Sequence, residues 1–355
     1  LPLRRIRITA LRCLREVDLE VGPRSTFVYG PNGAGKTSFL EGVFVLGRGR
    51  SFRTRQIRRL VMRGAEGFAV FGTVEAEEAR LRRLGVAYSA GRFEKKIDGE
   101  PAGSMAELAG ILPVHALDPS MHALVEGGPS ERRRFLDWGV FHVEHGYLEA
   151  WKHYRRALSQ RNAALKAGAR PSELRPWSMA LAEAGAAVEQ SRRRYVAQLR
   201  PRFAAFGEQL LGRALDVDYR PGWDAGQPLL ETLLANDVRD RAAGTTEQGP
   251  HRAELVVRLD ERRIQDEASR GQQKLAAAAL ILAQVGVEAA VRPRTSVLVV
   301  DDPAAELDRR SLGRLLEAIA TLPVQVLFTA LSPADLPAAD GSPVFHVEQG
   351  EIRAV

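Results

Sequence analysis

A mixed α/β fold follows from three features of the sequence. A glycine-rich loop leaves a short strand and opens a helix early in the chain. A short apolar run late in the chain ends in two aspartates. Between them lies a helix-rich middle in which the strand pattern stops. The expected architecture is a phosphate-binding α/β core with an antiparallel β-subdomain, together forming a discontinuous first lobe over residues 1–115 and 247–355. A compact helical second lobe takes residues 116–246, with too few sustained heptads for a long coiled coil.

In chain order, Leu3 to Thr9 and Arg15 to Val21 read as strands leading to the loop strand Thr26 to Tyr29. The helix after the loop, Thr37 to Leu46, turns Phe39, Leu40, Val43 and Phe44 inward. Phe68 to Val74, Leu81 to Ala87 and Arg92 to Ile97 alternate as antiparallel strands do. The helical lobe runs from a cap at Ser130 through Lys166, then from Pro176 to Leu211, with Leu148, Trp151, Tyr154, Leu158 and Leu165 at helical spacing. Glu254 to Leu259 form a strand, Leu275 to Gln284 a helix rich in alanine and leucine, and Val297 to Val300 a buried parallel strand. A last helix spans Arg309 to Leu322.

Composition narrows the partners. The chain has 355 residues, 45% hydrophobic and 27% charged, which is ordinary for a folded domain with its own core. One cysteine, Cys13, leaves no internal disulfide and no thiolate-rich zinc site. No apolar run is expected to span a membrane, and a cytoplasmic location with no membrane partner is the expectation. The net charge of +7 suits a polyanion. It concentrates in GRGRSFRTRQIRRLVMRG, where Arg48, Arg50, Arg53, Arg55, Arg58, Arg59 and Arg63 follow one another with no acid from Gly42 to Ala65. That stretch is the candidate DNA surface, making salt-sensitive contacts to phosphates without reading sequence. Lys152, Arg155, Arg156, Arg161 and Lys166 form a weaker candidate face. His142, Glu144 and His145 lack the spacing of a metal site.

The chemistry sits in two separated stretches. Gly30, Pro31, Asn32, Gly33, Ala34, Gly35, Lys36 and Thr37 fill the G-x-x-x-x-G-K-[ST] pattern, followed by Ser38. Backbone N–H groups of such a loop turn inward around phosphates, Lys36 reaches the β- and γ-phosphates of a nucleotide, and the Thr37 hydroxyl binds Mg²⁺. Asp301, at the end of the apolar strand, is placed to hold the same Mg²⁺. Asp302 is placed to orient an attacking water. Asp308 closes the turn before the last helix. In SRGQQK, Ser269 reads as a helix cap, and with Gly271 and Gln272 it makes a second anion site at a helix start. A chain that already owns a phosphate site would use it on the nucleotide of another subunit.

A Walker A loop, a Ser-x-Gly-Gln signature, a Walker B strand and a D-loop, in that order, resemble the head of an ABC-type ATPase. GRSFR, GGPSERRRFLDWGVFH, QRNAAL, GPHRAEL and SRGQQK resemble the RecF family of bacterial recombinational repair ATPases, relatives of SMC and Rad50 without the long coiled coil. The resemblance implies an ATP- and Mg²⁺-dependent homodimer in which the signature of one subunit caps the γ-phosphate held by the other. It implies binding to gapped DNA or single-strand/double-strand junctions, a weak DNA-dependent ATPase whose slow hydrolysis releases the dimer, and partnership with RecO and RecR in loading RecA and supporting the SOS response. Two departures stand out. His115 occupies the place of the usual magnesium-sensing glutamine, and Thr329 and Ala330 stand where a switch histidine is common. A transporter ATPase subunit, or a nucleotide-dependent scaffold that never hydrolyses ATP, are the competing classes.

Overall fold

The computed structural model describes residues 3–75, 80–292, 296–335 and 341–355. Two compact units emerge, one from Leu1–Met121 with Ala278–Val355 and the other from His122–Ala277.

The first unit is organised by two short runs of fully buried residues, one wholly apolar and one carrying Gln325 and Thr329. Val297–Val300 and Gln325–Ala330 are buried at every position, as strands covered on both faces must be. They lie side by side in a six-stranded sheet with the order 351–354, 344–348, 25–29, 325–330, 297–300, 114–117. All neighbours are parallel except the terminal hairpin Val344–Glu348 and Glu351–Ala354. The loop strand Ser25–Tyr29 therefore sits one place from the acidic strand, with Gln325–Ala330 between them. A second, antiparallel sheet carries Leu14–Glu20, Leu3–Leu11, Gly67–Glu75, Leu81–Ser89, Arg92–Ile97 and Glu100–Pro101. In Leu3–Leu11 the residues Leu3, Ile6, Ile8 and Leu11 are buried and join Phe39, Leu40, Val43 and Phe44 of the helix Lys36–Arg48 in one core. Gln325 ties the first strand to the parallel sheet. Its side chain accepts from the Leu3 N–H at 3.0 Å and donates to the carbonyls of Leu3 and Gly22 at 2.7 and 2.6 Å.

The second unit is built on the helices Pro129–Val143, Tyr147–Lys166 and Pro171–Leu211. Its sequence-derived boundary needs correction. The strand Glu254–Leu259 pairs antiparallel with Leu215–Arg220, so residues 247–277 stay with the helical unit instead of returning to the first lobe at 247. The reason is the strand Leu215–Arg220, whose apolar positions are too few to stand out after a long helix. That helix runs 41 residues from Pro171, about 60 Å, and includes both Pro176 and Pro201. It starts five residues ahead of the expected Pro176 because Pro171 suits a first helical turn and the Glu173 carboxylate accepts from the Arg170 N–H at 2.7 Å. The helix expected to be capped by Ser130 begins at Pro129, with Gly128 at the cap.

The apolar helix is also longer than its alanine run, spanning Arg270–Val291. It is long and apolar enough to cross a membrane by composition, yet 78% of its most apolar window is buried within the protein, as in a core helix.

Candidate nucleotide-binding site

The loop between Tyr29 and Lys36 is shaped by contacts that only small residues permit. A Cβ on Gly30 would lie 2.1 Å from the Val347 carbonyl oxygen. Gly35 caps the helix at φ 126°, where an added Cβ would meet Leu14 at 2.8 Å. The terminal hairpin braces the loop from behind, the Gly350 N–H donating to the Ala34 carbonyl at 2.9 Å. Lys36 is buried and folds back, donating to the carbonyls of Gly30 at 2.7 Å and Pro31 at 3.2 Å. Its ammonium is thereby stored inside the loop's own curve. Ser38 is buried beside Cys13, with 3.6 Å between Oγ and Sγ.

The acidic strand delivers its carboxylates to this loop. Thr37 Oγ1 lies 2.9 and 3.0 Å from the two oxygens of Asp301, across 264 residues of sequence. Thr329, fully buried on the intervening strand, donates to Asp301 Oδ1 at 2.8 Å and accepts from the Asp302 N–H at 3.0 Å. Asp302 itself sits at φ 44°, ψ 57°, immediately before Pro303. A left-handed conformation at a non-glycine residue is a strained one. Burial pushes the Asp301 pKa up, against the hydrogen bonds from Thr329 and Thr37, and the neighbouring Asp302 adds to the rise while Arg53 opposes it. Asp302 is also raised, first by burial, with Lys36 opposing. A hydroxyl and a carboxylate oxygen in contact, both hard donors, in a site where negative charge is disfavoured, fit Mg²⁺. Thr37 and Asp301 would be its ligands.

Comparison with known proteins decides the assignment. The family model described as RecF/RecN/SMC N terminal domain matches residues 2–353. DNA replication and repair protein RecF of Pseudomonas putida strain W619 is 40% identical, over 99% of this chain and 98% of that protein. The RecF of Thioalkalivibrio sulfidiphilus is 38% identical over 99% of each. The chain belongs to the RecF family. A solved structure of the recombination mediator protein RecF with ATP, from the RecFOR pathway, superposes with a TM-score of 0.89 at 25% identity, covering 100% of this chain and 97% of that one. The RecF family consists of DNA replication and repair proteins on an SMC-like ATPase head, so the expected fold class and ATP-binding character stand.

Other residues read from the sequence are placed differently by the RecF-type fold. His115 lies on the strand Val114–Leu117, opposite Leu298, and its Nε2 is 2.7 Å from Glu288 Oε2 with both side chains buried. Ser296 donates to the other Glu288 oxygen at 2.7 Å. The Nε2 edge of the ring is held in a core hydrogen bond to Glu288. Asp308 is an exposed helix cap, accepting from the N–H groups of Arg310 and Ser311 at 2.9 and 3.0 Å. In the second unit, Ser269 and Gln272 form a reciprocal capping box. Ser269 Oγ accepts from the Gln272 N–H at 3.3 Å, and Gln272 Oε1 accepts from the Ser269 N–H at 2.9 Å. Gly271 is exposed, and a Cβ there would meet nothing closer than Ser269 Oγ at 4.0 Å.

The arginine stretch divides. Arg50, Arg53, Arg55, Arg58, Arg59 and Arg63 are exposed. Arg48 is half-buried: its guanidinium lies over the Phe44 ring at 5.3 Å, and burial lowers its pKa well below the usual value. Arg161, from the weaker basic face, is fully buried against Asp240.

Glu41 was not singled out from the sequence. Buried on the loop helix, it takes both Arg12 Nε and Nη2, at 2.8 and 2.9 Å, and also binds the Ser51 hydroxyl. Ser51 Oγ in turn accepts from the N–H groups of Arg53 and Thr54 at 2.8 and 3.0 Å, so the basic loop is fastened to the loop helix. An acid inside an otherwise apolar helix face was the available signal.

Proposed function

We propose that the chain is an ATP-gated DNA-binding homodimer of recombinational repair and replication-fork maintenance. The observation that carries this reading is the contact of Thr37 with Asp301, which closes a nucleotide site from both ends of the chain. On ATP binding, Lys36 leaves the carbonyls of Gly30 and Pro31 for the phosphates. Thr37 and Asp301 would hold Mg²⁺, which would supply charge neutralisation for phosphoryl transfer. Asp302 orients water for slow hydrolysis to ADP and phosphate. Ser269, Gly271 and Gln272 of a second copy cap the γ-phosphate. Gly271 supports that arrangement. Among the described residues, an added Cβ there meets only Ser269 Oγ at 4.0 Å, so the room a glycine gives is open to close approach by a ligand on another copy. The exposed arginines Arg50, Arg53, Arg55, Arg58 and Arg59 contact DNA phosphates at gaps or junctions. The RecFOR context of the ATP-bound relative supports RecO and RecR as partners in loading RecA.

Sedimentation on gapped DNA with and without ATP tests the reading. ATP is expected to produce a dimer retained on DNA, with affinity falling steeply as salt rises. Equal retention without nucleotide would refute ATP gating.

A further inference from the structure

The strand between the glycine-loop strand and the acidic strand carries, one place before its end, a residue that touches both halves of the proposed hydrolytic pair. Thr329 has no solvent exposure and one hydroxyl proton. That proton goes to Asp301 Oδ1 at 2.8 Å, the short charge-assisted choice over the Val300 carbonyl at 3.5 Å. A lone pair of the same oxygen takes the Asp302 N–H at 3.0 Å. The backbone it holds is the strained one, with Asp302 at φ 44° before Pro303, a place where the chain would not rest unaided. The remaining Asp301 contact comes from Thr37, so the carboxylate is gripped by a hydroxyl from each neighbouring element.

We propose that Thr329 is a positioning residue for ATP hydrolysis, its single hydroxyl fixing the Asp301 carboxylate and the Asp302 backbone together. The proposal rests on the assignment of Asp301 and Asp302 to Mg²⁺ and water. Thr329 is fully buried, so it acts through Asp301 and Asp302. It sets the rotamer with which Asp301 meets the metal, and it holds the left-handed turn that aims Asp302. An isosteric valine leaves Asp301 Oδ1 and the Asp302 N–H without this partner, and the turn relaxes toward an extended conformation.

The test compares Thr329→Val, Thr329→Ser and Thr329→Cys with the wild-type chain. Three quantities are read: kcat and KM for ATP, the Mg²⁺ concentration giving half-maximal binding of a fluorescent ATP analogue, and the melting temperature. Thr329→Val is expected to lower kcat by about ten- to a hundredfold, the range for misplaced reacting groups, and to raise the Mg²⁺ requirement. Its KM should stay within about threefold of wild type. Thr329→Ser, which keeps the hydroxyl, restores both kcat and the Mg²⁺ midpoint. Should the valine variant not fold, Thr329→Cys, with only a weak S–H donor, is expected to give the same kcat and Mg²⁺ changes. A loss confined to melting temperature, with wild-type kcat and Mg²⁺ midpoint in the folded protein, overturns the proposal. Asp302→Asn separates the two levels. Its loss of hydrolysis beside a fully active Thr329→Val overturns Thr329 alone, whereas wild-type hydrolysis by Asp302→Asn overturns the carboxylate assignment and the proposal with it.

Discussion

Each unit contains a buried polar network, and the two are built to opposite ends. In the helical unit Arg161 is completely enclosed and paired, bonded to Ser178 Oγ at 3.0 Å, Asp240 at 2.6 Å and Thr246 Oγ1 at 2.8 Å. In the ATPase unit, Asp301 and Asp302 sit side by side with raised pKa values, one of them on strained backbone. Similar residue types give a closed structural joint in one place and an electrostatically incomplete site in the other. Opposite charges paired in a core specify a fold, and like charges set side by side suit a cationic ligand.

The largest effect separating the two should come from breaking the closed network. Arg161→Met leaves Asp240 buried without its cation and is expected to cost about 3–5 kcal/mol in urea unfolding. A matched Arg161→Met/Asp240→Leu pair should recover much of that loss. If the single change is mild, the network is not the joint described here.

A smaller effect comes from pH. His251 in the helical unit accepts from Tyr154 at Nδ1 and contacts the Thr246 carbonyl through Nε2, and burial lowers its pKa to about 4. The unfolded chain protonates near the ordinary value of about 6.5, so the unfolded state binds the proton first as pH falls. Stability is therefore full above that value and drains between it and about 4, by about 2 kcal/mol from pH 7 to pH 5. Replacing His251 with Gln should flatten that part of the denaturation-midpoint profile, and an unchanged profile would assign the acid sensitivity elsewhere.

The smallest effect belongs to Asp308, whose hydrogen bonds serve the helix Arg309–Ala320. Asp308→Ala is expected to cost about 1 kcal/mol as a lost cap. ATP hydrolysis falling far more than that stability change explains would move Asp308 from the closed class to the open one.

The open site was more legible in the sequence than the closed network, for a physical reason. Phosphate binding forces glycines, Lys36 and Thr37 into consecutive positions, and a buried parallel strand announces itself as an apolar run ending in Asp301 and Asp302. Arg161, Asp240 and Thr246 are scattered through 86 positions of the helical unit, numbers 161 to 246, and each alone looks like surface. The same blindness hid the surroundings of Arg48 and His115, which depend on distant or packed partners such as Phe44 and Glu288. Thr329 was noticed only as the absence of histidine. Its role required knowing that Gln325–Ala330 lies between the loop strand and the acidic strand. The boundary at 247 failed because strand pairing is long-range and the partner Leu215–Arg220 carries little pattern of its own.

The central claim is that the open site is completed by a second copy of the chain. Mixing Lys36→Met with Ser269→Arg tests it directly, because each variant alone lacks one half of every composite site. Head-to-tail pairing of the two gives a mixed dimer with one site doubly damaged and one intact. Neither variant alone should hydrolyse ATP, while an equimolar mixture should recover about a quarter of the wild-type rate if pairing is random and symmetric. A mixture as inactive as its components, or full activity from Ser269→Arg alone, would contradict the account.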